Sequence, residues 1–272
     1  MLSNGKKRTI RPALWLALAL ALAGPPAGAA QTVESLHACM LANVPASLRI
    51  QTVELVATDV GGTVRTLRGR VYALRETQGD QSLVRATLRI ESPEYLAGAA
   101  YLVRQGEGER VDGMYVYLPS VRRVRRISGD FADGALLGTN FSYYDFKQMQ
   151  YAVSDATATV AGEEDVGGRR TAILDYVPAP TSGSKYTRVR SWVDQQTCVP
   201  IQTEFHQADG ARKRITVPAA ALRKADGRWY ASEVEMVDLI DGSKTVLRVL
   251  GLDTQQVPPS RLFNPATFYL GN

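Results

Sequence analysis

Arg122, Arg123, Arg125 and Arg126 fall within five consecutive positions of the stretch 115–145, YVYLPSVRRVRRISGDFADGALLGTNFSYYD. Guanidinium groups at this density hold anions, bidentately where a carboxylate or phosphate offers two oxygens. The residues leave the anion open. Val121, Val124 and Ile127 recur every three positions between the arginines. That spacing fits a bulged strand paired with acids on its neighbours, and it equally fits a surface for lipid headgroups, a membrane or a carboxylate. Nucleic acid is excluded by the charge balance. The whole chain is +5, but its first eleven residues carry four basic groups, so the remainder is nearly neutral and offers no polyanion-gathering field.

Other reactive side chains are sparse. His37 and His206 read as surface or satisfied histidines. No nucleophile elbow, HExxH pair, calcium loop or paired CxxC is present. Asp130, Asp133 and Asp145 flank a glycine-rich loop at spacings that match no calcium site. Glu163, Glu164 and Asp165 read as a solvated turn before Gly167-Gly168. Asp145, His206 and a serine would make a triad only if the fold joined them, and nothing in the sequence does so. The expectation is a protein that is not an enzyme, with no cofactor and no metal. Cys39 and Cys198 are the two cysteines. An even count in an exported chain favours a disulfide, and two free buried thiols are the alternative.

Export is read from residues 1–29. Lys6, Lys7, Arg8 and Arg11 precede the apolar run ALWLALALALA (13–23), Pro25-Pro26 break it, and Ala27-Gly28-Ala29 supplies small residues for cleavage. The expected product is residues 30–272, one domain in the periplasm of a Gram-negative bacterium. Val33, Leu36, Met40 and Leu41 have helical spacing and predict a short helix over 31–44. Strands are predicted over 50–59, 64–75, 82–91, 99–104, 114–118, 170–177 and 186–194. Asp-Gly dipeptides at 209, 226 and 241 separate three further apolar runs, the signature of long strands joined by tight turns. A short helix near 142–149 completes an α+β, mainly β chain of about ten strands. A sheet of that size must curl. If it curls without closing, its apolar concavity needs a helix or a ligand to cover it. Leu36, Met40 and Leu41 on the helix, Tyr115, Tyr117, Phe141, Tyr143 and Phe146 around the arginines, and Trp192 are the candidate lining residues.

Tyr117-Leu118-Pro119, the basic run 122–126, and Gly138-Thr139-Asn140-Phe141-Ser142-Tyr143 with Asp145 resemble the outer membrane lipoprotein-sorting family, the larger LolA-like periplasmic proteins. Trp192-Val193-Asp194, Pro200-Ile201 and Asp209-Gly210 are similar to a later stretch of that family. The resemblance spans roughly 48–265. Asn140 and Tyr144 depart from it, where the family usually carries Asp and Glu. The resemblance implies an unclosed antiparallel β half-barrel of LolA/LolB type with helices covering the concave face. It implies a monomeric carrier of lipid or lipoprotein acyl chains, with a displaceable lid helix and an inner-membrane transporter of the RND type or an outer-membrane acceptor as partner. An RseB-like sensor that binds a membrane-anchored partner is the alternative within the same fold.

Overall fold

The computed structural model describes residues 1–2, 31–79, 81–106, 112–255 and 259–270. Apart from Met1 and Leu2, the secretion signal read over 1–29 lies outside them. The helix α1 (Val33–Ala42) opens the fold. Thr32 and Ser35 cap it reciprocally, each backbone N–H donating to the other's hydroxyl.

Six strands follow as a meander: β1 (Leu48–Thr58), β2 (Val64–Gln78), β3 (Gln81–Ser92), β4 (Ala100–Arg104), β5 (Gly113–Leu118) and β6 (Arg123–Ile127). A second series begins at β7 (Ala156–Val166) and continues through β8 (Arg169–Pro178), β9 (Arg188–Asp194), β10 (Pro200–Gln207) and β11 (Gly210–Thr216). It ends with β14 (Glu233–Asp238) and β15 (Lys244–Gln255). These thirteen strands form one antiparallel sheet in the order β6-β5-β4-β3-β2-β1-β15-β14-β11-β10-β9-β8-β7. The two meanders therefore join where β1 meets β15, and β6 and β7 are the open edges.

This topology dictates what covers the sheet. The chain leaves β6 at one edge and enters β7 at the other, so residues 128–155 must cross between the edges. They cross the concave face: Leu136, Phe141, Tyr144 and Phe146 belong to the same buried cluster as Val53, Leu88 and Phe205 of the strands. The helix α2 (Tyr143–Met149) lies in this segment. Ser142 and Asp145 form its capping box, with Ser142 Oγ accepting from the Asp145 N–H and Asp145 Oδ2 from the Ser142 N–H.

Strand alternation sorts the remaining apolar residues. Val53, Leu55, Val71 and Ala73 face inward, while Leu48, Tyr72 and Leu74 face outward under Leu262. The C-terminal segment clasps that outer face. Thr87 Oγ1 donates to the Leu262 carbonyl at 2.6 Å, and Phe268 is fully buried against Ala100 and Leu102. At a register shift between β2 and β3, Gly69 is required, because a β-carbon there would lie 2.1 Å from the Arg89 carbonyl oxygen.

Two sequence expectations are corrected. The runs flanking Asp226-Gly227 are not single long strands. Pro218 ends the first and a break at Ser232 divides the second, so β12 (Leu222–Ala225) and β13 (Arg228–Ala231) form a separate two-stranded sheet. Glu163, Glu164 and Asp165 lie in edge strand β7 rather than in a turn.

Candidate functional site

A cavity of about 180 Å³ lies between the concave face and the two helices. That is room for roughly a dozen water-sized positions. Its floor is apolar: Val53, Val71 and Ala73 of β1 and β2, Ile215 of β11, Val234 of β14, and Leu247 and Val249 of β15. Met40 and Leu41 of α1 wall one side, Phe146 and Met149 of α2 another, and Trp229 of β13 a third. Among the polar groups on the wall, Ser191 and Thr203 satisfy one another at 3.1 Å. Arg49, Gln51, Gln148, Gln150 and Tyr230 form a polar flank.

Both helices are firmly held. Cys39 is bonded to Cys198 in the turn between β9 and β10, with 5.7 Å between the Cα atoms. Asn43, at the C-terminal cap of α1, donates to the Thr197 carbonyl at 2.8 Å and accepts from the Trp229 N–H at 2.9 Å. Thus α1 is tied both to the β9–β10 turn and to the β12–β13 hairpin. His37 on α1 stacks on Tyr176 and shares a 3.0 Å hydrogen bond with its hydroxyl. Burial holds this imidazole below its ordinary pKa.

The anchor of α2 is ionic. Lys147 is fully buried and pairs with Asp112 at 2.9 Å and with Asp155. Asp112 also accepts from Ser154 and from the Gly106 N–H. Burial pushes the Asp155 carboxyl above its ordinary range, against the Lys147 charge. At the other end of the helix Lys213 pairs with Asp145 at 2.9 Å. Lys147 and its partners are the feature that sequence reading missed. Asp112 and Asp155 lie 35 and 8 residues from Lys147, and no local spacing signals such a cluster.

A family model of DUF1329-like uncharacterized proteins matches residues 82–269, more than half of the chain. The chain belongs to this family. Three solved structures share its fold. A DUF1329 family protein from Desulfovibrio piger superposes with a TM-score of 0.74 at 22% identity, covering 84% of this chain and 94% of its own. A putative outer membrane lipoprotein-sorting protein domain from Vibrio parahaemolyticus gives 0.73 at 23%, covering 86% and 97%. A LolA superfamily protein from Nitrosomonas europaea gives 0.64 at 19%, covering 86% and 98%. No curated protein matches the chain. The resemblance to lipoprotein-sorting proteins and the unclosed LolA-like half-barrel are both met.

In this half-barrel the predicted lining residues divide. Met40, Leu41 and Phe146 line the cavity. Leu36, Phe141 and Tyr143 pack in the core beside it without lining it. Tyr115 and Tyr117 are corrected: they alternate outward from Met114 and Val116, and Tyr117 stacks on Tyr269 at 3.9 Å under the C-terminal clasp. Trp192 likewise faces outward, between inward Ser191 and Val193, and its indole N–H donates to Glu164 at 2.8 Å. An aromatic cluster in sequence says nothing of which strand face it occupies.

The departures at Asn140 and Tyr144 do not face the arginines. Asn140 locks onto Ser243 and Thr245 of the β14–β15 hairpin. Tyr144 is buried beside Gln148, Tyr186 and Lys147. Arg122, Arg123, Arg125 and Arg126 are exposed at the β6 edge and in the turn before it. None forms an ion pair or side-chain hydrogen bond with another described residue, so the expected pairing with acids on adjacent strands is absent among them. Arg123 and Arg125 stand opposite Leu118 and Val116, on the concave-face register; Arg126 stands opposite outward Tyr115. Asp145 and His206 keep separate partners, Ser142 and Lys213 for the first, Glu204 and Arg188 for the second.

Proposed function

We propose that this protein is a periplasmic carrier that holds acyl chains of lipids or lipoproteins in the half-barrel and moves them towards the outer membrane or an exporter. The observation that carries the reading is the apolar cavity between the concave face and the two helices. Each methylene moved from water into it gains about 0.8 kcal/mol, and no covalent chemistry is needed. The Vibrio protein of the same fold is described as lipoprotein-sorting, which fits such a role.

The β6 edge supplies the membrane contact. Its four unpaired arginines lie beside exposed Val121, and Tyr95 is exposed on the turn that Gly98 brings against Pro119. Guanidinium groups with an apolar and an aromatic neighbour suit an anionic headgroup layer. The partner in this reading is an inner-membrane transporter of the RND type or an outer-membrane acceptor, and the carrier works as a monomer. The test is mass spectrometry of lipids extracted from protein purified out of the periplasm. A stoichiometric acylated species is expected. Lipid-free protein that also refuses a fluorescent fatty acid would overturn the reading.

A further inference from the structure

One corner of the cavity is cationic, and its two arginines form no ion pair with a described residue, although Asp226 lines the smaller cleft beside them. Arg49 on β1 lines the cavity, and its Nη1 donates to the Asn43 carbonyl at 3.2 Å. Its Nε is shut off from solvent and meets no acceptor. Arg228 on β13 shares a smaller cleft with Arg49, next to Trp229 and Tyr230. Its Nη1 reaches the Asp226 carbonyl at 3.2 Å, and its Nε is also shielded and unpartnered. The Asp226 carboxylate accepts instead from Thr254 at 3.0 Å.

Elsewhere several half-buried arginines of the sheet meet a carboxylate. Arg169 meets Asp194, Arg190 meets Asp175 and Arg212 meets Asp238, all at 2.6–2.8 Å. Arginine stays protonated in proteins, so Arg49 and Arg228 cannot escape their desolvation by losing a proton. Burial holds the Arg49 guanidinium below its ordinary pKa, and the field of Arg228 adds to that. Two neighbouring cations with idle, solvent-shielded N–H groups make a site that an anion would complete.

We infer that this corner binds the head of the cargo, and that the cargo is an amphiphile bearing a carboxylate or a phosphate rather than a neutral lipid. The inference rests on the carrier reading. The apolar floor at Val53, Val71, Leu247 and Val249 takes the chain, and the guanidinium groups take the anion. A charge-assisted, bidentate contact at this depth discriminates against a hydroxyl head of equal chain length. The free acid and the phosphate are two sources of one chemistry.

The experiment compares palmitate, hexadecyl phosphate and hexadecanol as competitors of a fluorescent acyl probe on the full mature protein. Wild type is expected to prefer at least one of the two anions over the alcohol by about tenfold or more. Which anion wins separates acid from phosphate. In the Arg49→Gln, Arg228→Gln double variant that ratio falls towards one. Arg228→Gln alone, on the outlying hairpin, lowers it part-way and serves if the double variant does not fold. Equal competition by all three in wild type overturns the head-group inference and leaves the carrier reading standing. Failure of all three to compete or bind overturns the carrier reading itself.

Discussion

Replacing both cysteines, Cys39→Ser with Cys198→Ser, removes the covalent tie between α1 and the β9–β10 turn. The two residues are 159 positions apart, so the cross-link closes most of the chain into one loop in the unfolded state. Chain-entropy arithmetic for a loop of that length gives roughly 17 cal/mol/K, or about 5 kcal/mol at 25 °C. That is a third or more of the ~5–15 kcal/mol that holds a domain folded. The hydrogen bonds of Asn43 to Thr197 and Trp229 do not depend on the sulfurs. Under native conditions α1 therefore stays in place, and the loss appears on unfolding. Urea melts of oxidised wild type, reduced wild type and the double serine variant measure it. Reduced wild type and the variant should coincide, several kcal/mol below the oxidised protein. A loss under about 1 kcal/mol would refute the assignment of the Cys39–Cys198 cross-link as a restraint on the unfolded chain, as would a reduced wild type that keeps the oxidised midpoint.

Three further outcomes are expected. Lys147→Met leaves Asp112 and Asp155 buried without their cation and should cost about 3–5 kcal/mol in urea melts; adding Asp112→Asn and Asp155→Asn should restore much of it. Changing Arg122, Arg123, Arg125 and Arg126 to Gln should remove salt-sensitive co-sedimentation with anionic vesicles, at about 1 kcal/mol per arginine, while the thermal midpoint stays nearly unchanged because these side chains are exposed and unpaired. The Asp175 carboxyl is held below its ordinary range by the Arg190 hydrogen bonds; its stabilising contribution is therefore complete above the unfolded pKa of about 4 and is lost as pH falls through the lower folded value, so Asp175→Asn should be less stable than wild type at pH 7 and converge with it near pH 2.

Much of the architecture was legible because sheet physics is local. Asp-Gly turns and two-residue alternation announced a curled antiparallel sheet, and the spacing of Val33, Leu36 and Met40 announced α1. The covering of the concave face also follows from the order of strands, but only once β6 and β7 are known to be opposite edges, which depends on the long-range pairing of β1 with β15. A third of the lining was legible. Met40, Leu41 and Phe146 line the cavity because helices that cover a sheet point their apolar side at it. Tyr115, Tyr117 and Trp192 were misplaced because strand parity decides their face, and parity is fixed by register with distant partners. Arg49 is one arginine among many in the sequence. Only the fold reveals that it faces inward without a carboxylate, as only the fold assembles Asp112, Lys147 and Asp155. The segment Pro259–Leu270 carries no strong pattern, yet it buries Leu262 and Phe268 on the outer face.

The most direct test of the carrier account is photo-cross-linking with a diazirine-bearing fatty acid, read out by peptide mass spectrometry. Saturable labelling is expected on the concave side, at α1 around Met40 and Leu41, at Phe146 and at Leu247–Val249 of β15. Labelling confined to the outward residues Tyr117, Tyr269 and Trp192, or labelling that does not saturate, would contradict it.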